Sequence, residues 1–210
     1  MSRRLILWVS AALVVAGVSA CSRPPVQGLA RGEALFDTCL PCHGADGGGN
    51  QALGAPAIAG LPQWYVEAQL AAFQAGHRGY DAYDTVGIRM KTMARALDLE
   101  GDIPSVAEYV ASLSPVRPAG VLTGDAQAGQ AAWAVCAACH GADGAGNQSL
   151  RAPPLTGQAD WYVARQLQKF RAGTRGTGPG DAWGAVMRPN ALPLDDAAIS
   201  NLTAYLQTLR

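Results

Sequence analysis

The sequence predicts an all-α chain in which one small helical domain, with about three main helices, is written twice. Three observations carry this expectation: the chain matches itself at an offset of 97 residues, its apolar residues recur at helical spacing, and no stretch shows sustained strand alternation. The offset maps Cys39 to Cys136, Cys42 to Cys139, His43 to His140, Pro56 to Pro153, Phe73 to Phe170, Arg78 to Arg175 and Met90 to Met187. Beyond the methionines the first copy carries one extra residue, so Ile103, Tyr109 and Leu113 pair with Ile199, Tyr205 and Leu209 at an offset of 96.

Taken in order, residues 1–20 read as an export signal. Arg3 and Arg4 supply its charged end, an apolar run from Leu5 to Val18 follows, and small residues close it. Val18-Ser19-Ala20-Cys21 resembles the lipobox of bacterial lipoproteins, and Cys21 is the odd one among five cysteines. The expectation is cleavage before Cys21, lipidation of its thiol, and a membrane tether, since each buried methylene of an acyl chain contributes about 0.8 kcal/mol. The first domain is expected over 21–114, a proline-rich linker over 115–120, and the second domain over 121–210. Helices are expected near 32–40 and 129–138, at 63–75 and 160–172, and at 102–113 and 195–209, with Gly76 and Gly173 ending the middle pair. The segments between them, including those that hold Met90 and Met187, read as glycine- and proline-rich loops.

Composition narrows the function. Formal net charge is zero, which points away from nucleic acid as a partner. Two lysines, Lys91 and Lys169, stand against 14 arginines, so no lysine-rich docking face is available. Charge is divided unevenly: 21–116 holds 6 basic and 10 acidic residues, whereas 119–210 holds 7 basic and 6 acidic. Such polarity suits two different partners, because complementary charge mainly sets encounter rate and orientation. Aromatic residues make up only 7% of the chain, leaving little bulky side-chain material to fill two cores.

The strings Cys39-Leu-Pro-Cys42-His43 and Cys136-Ala-Ala-Cys139-His140 have the form of c-type haem attachment sites. Two thiols three positions apart on a helical turn reach the two vinyl groups of one porphyrin, and the adjacent imidazole reaches the iron. Zinc is the rival, but the histidine follows each pair directly and the pairs sit in separate repeats. Disulfides would leave both histidines unexplained. For the sixth position Met90 and Met187 are the candidates, since they occupy equivalent places; Met93 competes only in the first copy, its counterpart being Asn190. A thioether there closes the iron to small ligands and raises its reduction potential. Pro56 and Pro153 are expected to shape the loop on the histidine side, where a backbone carbonyl could accept the hydrogen of the imidazole's other nitrogen. Arg78 and Arg175 are candidates for pairing with haem propionates, and His77 reads as a solvated loop residue.

Both C-x-x-C-H motifs, the Gly-Ala-Asp-Gly loop after each, the Trp-Tyr-Val and Gln-Leu-x-x-Phe helix, the Gly-x-Arg-Gly turn, and a methionine seven residues before Leu97 or Leu194 together resemble the tandem diheme class I cytochromes c of the cytochrome c4 type. The resemblance covers nearly all of the chain after the signal. It implies two covalent haem c groups bound through Cys39, Cys42, Cys136 and Cys139, with His43 and Met90 on one iron and His140 and Met187 on the other. By similarity the first methionine of an M-x-x-M string ligates iron, which selects Met90 over Met93. The family further implies a periplasmic electron carrier; the alternatives are a cytochrome subunit of an oxidase or dehydrogenase complex and a diheme peroxidase, and the matched methionines argue against an enzyme. The carrier's donor is a quinol-oxidising complex or a dehydrogenase, and its acceptor a terminal haem-copper oxidase. The lipobox and the missing second methionine of the second repeat depart from the family pattern, and neither touches the expected ligands.

Overall fold

In the computed structural model, residues 27–97 and 99–209 are described. The signal segment and Cys21 therefore lie outside the described residues. The elements are α1 (Leu29–Phe36), α2 (Leu40–His43), α3 (Gln63–Gln74), α4 (Thr85–Ala94) and α5 (Asp102–Ser112) in the first repeat. The second repeat contains α6 (Ala126–His140), α7 (Asp160–Ala172), α8 (Ala182–Ala191) and α9 (Asp196–Leu206). Among the described residues there are no strands, only the isolated bridges Asn50 to Ala55 and Asn147 to Ala152. None of the described helices is long and apolar enough to cross a membrane.

Each repeat is organised around a crossing of its first and last helices, α1 on α5 and α6 on α9. The crossing is close because a glycine stands at each contact. A Cβ on Gly32 would lie 2.1 Å from the Ser105 carbonyl oxygen, and one on Gly129 would lie 2.0 Å from that of Asn201. The apolar faces follow helical spacing: Leu70 and Phe73 on α3 meet Val106 and Val110 on α5 together with Phe36, Ala94 and Leu97. In the second repeat Trp133, Val163, Leu202 and Leu206 form the equivalent core. Full burial of one such large side chain contributes about 1.5–3 kcal/mol, so the two cores rest on few residues. Trp133 replaces Phe36 and adds an indole N–H that donates to the Ala142 carbonyl at 3.0 Å.

Two features depart from the sequence reading. The first helix is continuous in the second repeat but broken at 37–39 in the first. Pro41 is the cause: it has no N–H to give to the Asp37 carbonyl and its ring crowds that carbonyl, whereas Ala138 occupies the same place in α6. The methionine-bearing segments, expected as loops, are helices. Asp84 and Asp181 begin them, each accepting a hydrogen bond from the backbone N–H three residues on, Gly87 at 2.8 Å and Gly184 at 2.9 Å. The glycine within α4 and the Gly184 and Pro189 within α8 obscure the periodicity that would otherwise announce a helix.

Candidate functional site

His43 ends α2 and His140 ends α6, and both side chains are buried, at 8% and 7% exposure. The chain then turns back over each ring. The N–H of Gly49 donates to the His43 carbonyl and that of Gly146 to the His140 carbonyl, both at 2.8 Å, and the Asn50 and Asn147 bridges close the loops. This places the Pro56 and Pro153 carbonyls against the imidazoles, 2.9 Å and 2.8 Å from Nδ1. The approach requires glycine: a Cβ on Gly49 or Gly146 would come within 2.6 Å of the following proline segment's backbone.

A carbonyl oxygen only accepts, so each Nδ1 carries the proton and Nε2 keeps its lone pair. Burial pushes both imidazoles toward the neutral form, against a weaker opposing effect of the carbonyl. A neutral, oriented imidazole with one free nitrogen is what a metal requires.

The cysteines of each motif lie on the same helical segment as the histidine. None of the four is in a disulfide; Cys39, Cys42 and Cys136 are half-buried and Cys139 is exposed. Burial pushes the Cys39 and Cys136 thiols up, away from the thiolate form that zinc would favour. Among the described residues no three His, Cys, Asp or Glu side chains gather as a metal-binding cluster.

Met90 lies on α4 and packs against the same core as Cys39 and Leu97. Met93, one turn further on, is 40% exposed. Met187 sits half-buried on α8 at the equivalent position. Helices α4 and α8 rest on α3 and α7 respectively.

Arg78 and Arg175 meet at the junction of the two repeats. Arg78 donates to Gln69 Oε1 at 2.5 Å and to Gln166 Oε1 at 3.5 Å; Arg175 donates to Gln166 Oε1 at 2.8 Å and to Gln69 Oε1 at 3.4 Å. Each guanidinium lies over a phenylalanine, Arg78 at 4.2 Å from the Phe73 centroid and Arg175 at 4.4 Å from that of Phe170. Among the described residues neither forms an ion pair with a carboxylate, and the Nε of Arg175 is buried without a partner. Burial, and then the Arg78 charge, lower the affinity of Arg175 for its proton. Two adjacent cations with an unused buried donor suit anionic groups between the repeats. Haem propionates are such groups, so the residues present fit two haems.

The sequence marks the histidines, cysteines, methionines and arginines as candidates, but not the glutamines that cradle both arginines. Their signal was available, since Gln69 and Gln166 recur in the Gln-Leu-x-x-Phe string. The sequence also reads His77 as a solvated loop residue, whereas His77 Nδ1 lies 2.5 Å from the Pro179 carbonyl of the other repeat.

The cytochrome c family model matches residues 29–114 and again 126–210. The chain is 33% identical over 180 residues to the thiosulfate dehydrogenase electron acceptor of Thiomonas intermedia, covering 80% of this chain and 77% of that protein. It is 32% identical over 190 residues to cytochrome c4 of Azotobacter vinelandii, covering 86% and 88%. Among solved structures it resembles reduced recombinant cytochrome c4 from Pseudomonas stutzeri, with a TM-score of 0.68 and 28% identity over 88% of this chain and 100% of that one.

Proposed function

The chain belongs to the cytochrome c family, as a diheme member of the cytochrome c4 type with two covalently bound haem c groups, and on that premise we propose that it works as a membrane-tethered periplasmic electron carrier. Its domains run over 21–114 and 121–210, joined by the linker 115–120. Cys39 and Cys42 would hold one haem by thioether bonds and Cys136 and Cys139 the other, with His43 and Met90 the residues that would ligate the first iron and His140 and Met187 the second. Bound there, each haem supplies a one-electron couple.

The chain's own residues keep that couple clean. The Pro56 and Pro153 carbonyls hold the imidazoles in one tautomer and one orientation, so little rearranges when charge changes. The Met90 and Met187 thioethers, as ligands, would deny the iron to oxygen or peroxide. Arg78 and Arg175 offset propionate charge where the two repeats meet. The observation that carries the reading is the buried, carbonyl-anchored histidine at the end of each C-x-x-C-H helix, built the same way twice.

Donor and acceptor follow by similarity. The relative named as an electron acceptor of thiosulfate dehydrogenase favours a dehydrogenase as donor over a quinol-oxidising complex, and a haem-copper oxidase is the acceptor. Cys21 holds the lipid. The test is to mix the chemically reduced, full-length protein with membranes that contain a terminal oxidase. Rapid oxidation that cyanide abolishes is the expected result. Peroxide consumption by the protein alone, at a rate matching its oxidation, would show an enzyme instead.

A further inference from the structure

The junction between the repeats is nearly reciprocal, with Arg78 and Arg175 each bridging Gln69 and Gln166. It is broken at one charge. Lys169 on α7 reaches across to Asp84, with Nζ 2.6 Å from Oδ1, and both side chains are largely buried, at 16% and 8% exposure. Asp84 is the residue that caps α4, the Met90 helix. Its equivalent, Asp181, caps α8, the Met187 helix, in the same way. At the offset of 97, however, the equivalent of Lys169 is Ala72, which has no charge to offer. Accordingly one oxygen of Asp181, Oδ2, is buried with no hydrogen-bond partner.

Other charges near the two caps match only in part: Asp81, Arg89 and Arg95 stand where Gly178, Val186 and Leu192 do, and both of those arginines are exposed. Arg175 acts on Asp181 through space without forming an ion pair, and Arg78 holds the equivalent place in the first repeat. Lys91 in α4 is matched by Arg188 in α8. Among the described residues, Lys169 is the one cation in ion-pair contact with either cap, and the second repeat supplies it to the first methionine helix.

A buried charge is felt strongly because little water screens it. Oxidation adds a positive charge to a haem, so a nearby uncompensated carboxylate favours the oxidised form and lowers the potential, and a cation that neutralises the carboxylate raises it. We propose that Lys169 is a redox-tuning residue that acts across the repeat junction, raising the potential of the first haem and leaving that of the second, whose capping Asp181 has no ion-pair partner among the described residues, unraised. The first haem's potential then depends on the second repeat remaining docked. This rests on the reading of Met90 and Met187 as axial ligands. It concerns Lys169, Ala72, Asp84 and Asp181, none of which touches a haem in that reading.

The experiment is an optical redox titration of the holoprotein, Lys169→Met, Lys169→Arg and Ala72→Lys, with the methionine-to-iron charge-transfer band recorded throughout. The wave that survives Met187→Ala identifies the first haem. Lys169→Met is expected to lower the first potential and leave the second in place; Lys169→Arg restores the first; Ala72→Lys raises the second. If both potentials stay fixed in Lys169→Met, or move equally, while the band is present, the inference is overturned and the ligand assignment stands. Absence of the band from the unsubstituted protein overturns the ligand assignment and the inference with it.

Discussion

Met187→Ala is expected to open one of the two haem irons and leave the other closed. Met187 is the only methionine of the second repeat, and its neighbour at the M-x-x-M position is Asn190, so no second thioether stands ready on α8. The ferrous variant should bind carbon monoxide at half of its haem and lose half of the methionine-to-iron band. The second potential should fall, because a thioether ligand stabilises the reduced iron. The first haem should be untouched. Met90→Ala makes the instructive contrast: Met93 lies one turn away and is 40% exposed, so only a shift of α4 would bring it in. Carbon monoxide binding at half of the haem is therefore expected there too.

The second large effect is on stability. Gly129→Ala is expected to cost at least about 3 kcal/mol, the upper part of the range for forcing extra volume into a packed contact. The added methyl would meet α9 directly, the Asn201 oxygen at 2.0 Å and its carbonyl carbon at 2.6 Å, with the Tyr205 Cβ at 2.9 Å. None of these can rotate away, so α6 and α9 must part. Guanidinium unfolding should show the second domain melting early, as a separate transition from the first. Gly32→Ala should do the same to the first domain, where the Ser105 oxygen lies 2.1 Å from the new methyl. Gly157→Ala provides the comparison. Nothing lies within 4 Å of its Cβ, and only its φ of +87 resists a side chain, which costs about 1–2 kcal/mol. A loss at Gly129 no larger than that at Gly157 would mean the helix crossing is not held by close contact.

What could be read from the sequence is what local chemistry writes locally. The C-x-x-C-H strings, the repeat, and the helices whose apolar residues keep a clean period, such as α3, α7 and α9, were all legible. Helix boundaries blurred where one residue overrode the pattern, as Pro41 does in dividing α1 from α2. The methionine helices were hidden for a related reason. Gly87 in α4, and Gly184 with Pro189 in α8, read as loop, while the features that start these helices, Asp84 and Asp181, are single capping residues easily taken for turn residues. The repeat junction was beyond reach altogether. Lys169 and Asp84 are 85 residues apart, and nothing in the spacing of either reveals that they meet. His77 reads as solvent-facing until Pro179, 102 residues on, is seen beside it. The arginines lay between these extremes: their recurrence marked them, but only the fold shows that the two face one another over shared glutamines.

The electron-carrier reading needs both irons closed by residues of the same kind in both repeats, and that is directly measurable. A pyridine haemochrome assay on the purified chain should give two haems per polypeptide. In the same sample the oxidised protein should show a methionine-to-iron band of the strength expected for two sites, with no carbon monoxide binding to the reduced form at neutral pH. One haem per chain, or carbon monoxide binding at half of the haem in the unsubstituted protein, would contradict the account.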